Sequence, residues 1–102
     1  MTDITLSEKQ LRFLRGRAHA LKPVIQIGQH GLTASVRAET ARALGDHELI
    51  KVRVQAGDRA AREALIGELA RQTASALIQR IGHVAVLFKP RTPLSRIPLP
   101  GP

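Results

Sequence analysis

The sequence contains no cysteine, tryptophan or tyrosine, and its only aromatic side chains are Phe13 and Phe88. Without cysteine it can form no disulfide and perform no thiolate chemistry, which fits a reducing compartment. Without rings to spare it has no platform on which to stack single-stranded bases. A nucleic-acid partner would therefore have to be held by phosphate contacts and shape. Acid is scarce as well: eight Asp and Glu stand against sixteen Lys and Arg, a formal charge of +8 on 102 residues. Such an excess on one small domain points first to a polyanion. No apolar run reaches transmembrane length and no signal-peptide core is present, so a soluble cytoplasmic protein is expected. No helix joins a basic face to bulky apolar anchors, which argues against a membrane-surface partner.

What is present suffices for one domain with an aliphatic core. Ser7-Glu8-Lys9-Gln10 reads as a capping box, and Leu11, Leu14, Ala18 and Leu21 follow at helical spacing until Lys22-Pro23 ends the helix. Val24 to Ile27 is a short strand. Thr33 can cap a second helix that carries Val36, Thr40, Ala43 and Leu44 on one face, with Gly45 placed to stop it. Leu49 to Val54 alternates, turning Ile50, Val52 and Val54 inward and Lys51 and Arg53 outward. Asp58 opens a third helix with Ala61, Leu65, Leu69 and Thr73 on one face. Strands over Ala76 to Ile81 and Val84 to Lys89 are joined by Gly82-His83 as a hairpin.

From Pro90 the composition changes to a proline-punctuated tail without apolar periodicity. The expected organisation is a domain over 1–89 and an extended or disordered arm over 90–102. The element order α-β-α-β-α-β-β predicts an α+β fold, a four-stranded mixed sheet with helices packed on one face and charged residues on the other.

Between the first strand and the second helix lies Gly28-Gln29-His30-Gly31. A G-x-x-G turn of this kind aims backbone N–H groups and a helix N-terminus outward, a device for holding phosphate. Glycine permits φ > 0 and lets a sugar-phosphate backbone approach with no Cβ in the way. His30 would add charge to such a contact when protonated. Read as an ordinary strand-to-helix connection, the same loop binds nothing. Lys9, Arg12, Arg15, Arg17 and Lys22 form a basic flank with only Glu8 as an acidic neighbour on that helix, expected to lie beside the loop. Lys51 and Arg53 are secondary candidates on the sheet.

The segments Leu11-x-x-Leu14-x-x-x-Ala18-His19-x-Leu21-Lys22-Pro23, Ile27-Gly28-x-x-Gly31-Leu32-Thr33 and His47-Glu48-Leu49-Ile50-Lys51-Val52 occur in order. Together they closely resemble the CRM domain, named for chloroplast RNA splicing and ribosome maturation, and in particular its stand-alone bacterial YhbY-like members. The likeness runs from about Ser7 to Pro90. It implies a fold similar to the C-terminal domain of translation initiation factor 3 with a KH-like GxxG loop. It also implies RNA as partner, specifically 23S rRNA in precursors of the large ribosomal subunit. Carried onto this chain, Gly28, Gln29, His30 and Gly31 become a phosphate clamp, and Lys51 belongs to the matched strand motif; Thr33, the cap of the following helix, is a further RNA-binding candidate.

No enzyme is expected. The four histidines are far apart with no metal-ligand spacing, and no serine sits in a nucleophile elbow. No cofactor, metal or small-molecule substrate is implied, and a monomer is expected. Two other readings stay open: an RNA chaperone or intron-splicing cofactor, and a ribosome-associated adaptor docking through its sheet face and tail.

Overall fold

Each helix begins on a side chain that answers its first free amides. Ser7 Oγ accepts from the Gln10 amide at 3.1 Å while Gln10 Oε1 accepts from the Ser7 amide at 3.0 Å, completing the expected capping box. Thr33 and Asp58 accept from the amides of Val36 and Ala61. In the computed structural model, which describes residues 4–55 and 57–102, these caps open α1 (Glu8–Ala18), α2 (Ala34–His47) and α3 (Arg59–Thr73). The start of the expected domain, residues 1–3, lies outside the described residues.

Four strands, β1 (Pro23–Ile27), β2 (Leu49–Val54), β3 (Ala76–Ile81) and β4 (Val84–Phe88), form one sheet in the order β1-β2-β4-β3. β1 and β2 run parallel, with α2 as the crossover that a parallel pair requires, and the other pairings are antiparallel. Ile81 stands opposite Val84, and the φ of +58° at Gly82 suits the first position of a type II′ hairpin turn.

The alternation in β2 sends Ile50, Val52 and Val54 into a core with Ile25, Ile27, Leu44 and two α3 residues, Ile66 and Leu69. α2 and α3 thus cover one face, as expected. The other face is not left to charged residues alone. Leu49, Ile78, Val86 and Phe88 meet Leu14 and Ala18 of α1 there, and Ile97 closes the cluster. Charge survives on that face towards β1, at half-buried Lys51 and exposed Arg53. The signal of the apolar part lies in β4, whose run Val84–Phe88 is apolar on both sides, the pattern of a strand buried on both faces.

Three local expectations shift. Leu21 lies beyond the end of α1 and is 37% exposed, so it is not part of the buried stripe. On α3, Ala61 is exposed while Ile66 and Ala70 join Leu69 and Thr73 in the buried set. Gly45 does not stop α2, which continues to His47 before Glu48 turns the chain into β2 at a φ of +65°. The end of α2 is held from outside: Arg91 donates Nε to the Gly45 carbonyl at 2.8 Å and Nη2 to the Asp46 carbonyl at 3.1 Å. A guanidinium there answers orphan carbonyls and the negative end of the helix dipole.

Arg91 belongs to the proline-rich tail, which has no helix or strand yet is packed on the domain. The carboxylate of Glu48, 1% exposed, accepts from the Arg91 amide at 3.1 Å, the Arg96 amide at 2.7 Å and the Ser95 hydroxyl. Burial pushes its pKa up, but the hydrogen bonds from Ser95, Arg96 and Arg91 and the Arg91 charge outweigh that and hold it below the usual glutamate value. Further along, Ile97 is buried and Pro100 accepts from Gln10 Nε2 at 3.0 Å. The tail is a strap rather than a free arm. Its prolines keep it extended and leave fewer backbone donors to satisfy.

Candidate nucleic-acid interface

β1 ends at Ile27 and the chain turns through Gly28–Gly31, with the Gly31 amide donating to the Gly28 carbonyl at 3.1 Å and the Thr33 amide to the Gly31 carbonyl at 3.1 Å. The two glycines are there for different reasons. Gly31 has a φ of +68°, while a Cβ on it would meet Leu65 Cδ2 at an ordinary 3.6 Å, so conformation demands glycine. Gly28 does not have a positive φ, and none of the described residues lies within 4 Å of where its Cβ would be. Among the described residues, nothing requires a glycine at that position.

Gln29 and His30 are exposed. Their amides, and those of Ala34 and Ser35 in the first turn of α2, have no acceptor among the described residues. α2 carries no acidic residue in that turn, so its positive end stands open beside the loop. Thr33 Oγ1 is committed to the Val36 amide at 3.1 Å, which leaves its hydroxyl proton for an external acceptor.

The basic residues do not gather beside the loop. α1 lies across the sheet from α2; Lys9 and Arg12 are exposed on it and Arg15 is half-buried. Lys22 directly precedes β1, whereas the loop follows that strand, and a strand of this length spans about 16 Å. A groove of about 400 Å³ runs along β1, an edge strand, from Lys22 to Gln26 and is lined also by Ile25 and Arg53. Arg53 pairs in register with Gln26, next to the loop. Lys51 instead lines a cavity with Ala18, His19 and Gln79 at the C-terminal end of α1. None of these six cations pairs with a carboxylate among the described residues.

Two clusters were invisible as patterns because the fold assembles them. One is Glu48 with its strap. The other joins Arg59 and Arg62 of α3 to Arg80 and His83 of the hairpin. The spacing of Arg59 and Arg62 could have flagged a basic helix face; their hairpin partners could not be paired with them from spacing. Among the described residues, no three His, Asp or Glu side chains come together as metal ligands, and no helix is long and apolar enough to cross a membrane.

Residues 6–89 match the model of the CRS1 / YhbY (CRM) domain. The chain belongs to this family. An RNA-binding protein of Haemophilus influenzae is 49% identical over 86 residues, which cover 84% of this chain and 87% of that protein. A "Probable RNA-binding protein" of Pseudomonas aeruginosa is 42% identical over 98 residues, covering 92% and 94%. The solution structure of a hypothetical protein of Staphylococcus aureus, a candidate RNA binder, matches with a TM-score of 0.80 at 33% identity, over 94% of this chain and 100% of that one. The resemblance read from the three motifs and the α+β element order both hold. The CRM match stops at Lys89, so the strap lies outside it while Glu48, which anchors the strap, lies within.

Proposed function

We propose that this CRM-domain chain is a non-catalytic RNA-binding protein that grips backbone phosphates with the Gly28–Gly31 loop and the N-terminus of α2. The observation that carries this is Gly28. Neither its conformation nor its neighbours among the described residues need glycine, whereas a close-approaching sugar-phosphate backbone does. The unengaged amides beside it supply the donors and the α2 dipole supplies the sign. Arg53 and Lys22 extend the contact along the β1 groove; Lys51 and the cations of α1 raise the local RNA concentration through the field of the whole molecule. The RNA-binding names of the relatives favour the same partner class.

The specific role we assign, from the family likeness, is assembly of the large ribosomal subunit on 23S rRNA in the cytoplasm, with the protein acting as a monomer. Replacing Gln29 and His30 together by aspartate should weaken binding to an rRNA hairpin by like-charge repulsion while leaving thermal unfolding unchanged. Unchanged affinity in the folded double variant would remove the loop from the mechanism. Co-sedimentation with subunit precursors and crosslink mapping test the ribosomal role; crosslinks confined to intron RNA would favour the splicing-cofactor reading. The adaptor reading is disfavoured because α1 and the strap occupy much of the surface it needs.

A further inference from the structure

At the same end of the sheet as the glycine loop, a cleft of about 310 Å³ opens between α3 and the β3–β4 hairpin. Its walls carry Arg59, Arg62, Arg80 and His83 around a single carboxylate, Glu63. Glu63 Oε1 lies 3.5 Å from Arg59 Nε and 2.5 Å from Arg80 Nη1, so one acid answers two of the three guanidinium groups. Arg62 is left over. Its Nη1 donates to the Gly57 carbonyl at 3.1 Å, but its Nε is buried and has no hydrogen-bond partner, the one side-chain atom in that condition among the described residues. No carboxylate among the described residues answers the Arg62 charge, which leaves this cleft-lining guanidinium for an anion that enters from solvent.

The position of the cleft relative to the loop follows from the ladder. Ile27, the residue before the loop, is in register with Val54. The Val54 amide donates to the His83 carbonyl at 2.7 Å, and His83 Nδ1 donates back to the Val54 carbonyl at 3.1 Å. That bond places the neutral ring's hydrogen on Nδ1, so Nε2 donates to a phosphate oxygen only when the ring carries a second proton. Loop and cleft are therefore separated by about two strand spacings, roughly 10 Å. Backbone charges along one nucleic-acid strand recur about every 3.4 Å of axis, so phosphates a few nucleotides apart span that gap.

The geometry points to the cleft formed by Arg59, Arg62, Arg80 and His83 as a second phosphate site, which receives a backbone phosphate of the same RNA that the glycine loop holds. The inference rests on the loop reading for its choice of ligand, and on the uncompensated Arg62 for its location. Two fixed anchors at this separation would set the direction of the strand across the molecule, which one clamp cannot do. Such contacts position the RNA without reading its bases.

The test uses the full chain and an rRNA hairpin, with affinity followed by fluorescence anisotropy across a salt series. Arg62→Gln should lower affinity about tenfold at low salt and reduce the log-log salt slope by about 1. The wild-type Arg62 Nε–H resonance should shift on adding the hairpin. An unchanged slope and affinity in a folded Arg62→Gln protein would overturn the second site and leave the loop proposal standing. Conversely, loss in Arg62→Gln with no loss in the Gln29, His30 double aspartate variant would keep the cleft and remove the loop. If Arg62→Gln fails to fold, the wild-type resonance decides: an Nε–H that does not move with RNA overturns the site.

Discussion

At the scale of the residue, the two glycines of one motif carry separable loads, and that separation can be measured. Gly31 is required by a left-handed backbone, so Gly31→Ala should cost about 1–2 kcal/mol of stability. Gly28→Ala has open space for its methyl group and no positive φ to violate, so urea unfolding should find it near wild type. In RNA binding the order should reverse: Gly28→Ala keeps the fold and loses affinity, because its new Cβ occupies space intended for the ligand. Equal loss of stability in both variants would mean that Gly28 serves the turn after all. Sequence inspection could locate the motif but could not divide these roles. The division depends on φ and on neighbours such as Leu65, which approaches Gly31 from α3, far along the chain.

At the scale of the element, what could be read in advance was whatever is encoded within one turn or one strand. Ser7, Thr33 and Asp58 mark helix starts because a cap acts within three residues of itself. The alternation of Ile50, Val52 and Val54 marks a half-buried strand for the same local reason. The strap escaped, since its anchors are remote: Glu48 reaches Arg91, Ser95 and Arg96 across the fold, and a run of prolines carries no periodicity to betray burial. The basic flank does not adjoin the loop because Lys22 and the loop stand at opposite ends of β1 and α1 packs across the sheet from α2. Glu48→Gln tests the strap directly. The amide keeps the shape, loses the charge and turns an NH2 group towards backbone donors, so it should destabilise by about 2 kcal/mol at neutral pH. A carboxylate whose folded pKa is depressed contributes fully above its ordinary value of 4.5 and loses that contribution as pH falls through the lowered folded value. The gap between wild type and variant should therefore be widest at neutral pH and close in acid. A gap independent of pH would assign the loss to shape rather than charge.

At the scale of the whole molecule, a formal charge of +8 says that RNA will be attracted, but not where it will lie. The fold spreads the cations instead of gathering them at one point. Lys9 and Arg12 are on α1, on the far side of the sheet from α2, while Arg53, on the α1 face of β2, pairs in register with Gln26 near the loop. Charges beyond about 10 Å from the nearest phosphate are largely screened at 0.1 M salt. They assist encounter more than they hold the complex. Arg53→Ala should accordingly lower the log-log salt slope by about 1, as expected for the loss of one neutralised phosphate. Arg12→Ala should lower it by less, and by a similar small amount on unrelated hairpins, because a distant charge attracts every RNA alike. Anisotropy titrations of both variants on several hairpins over a common salt range make the comparison. If Arg12→Ala flattens the slope as much as Arg53→Ala does, the RNA must wrap around α1 as well, and a single binding surface centred on the loop would no longer account for the distribution of charge.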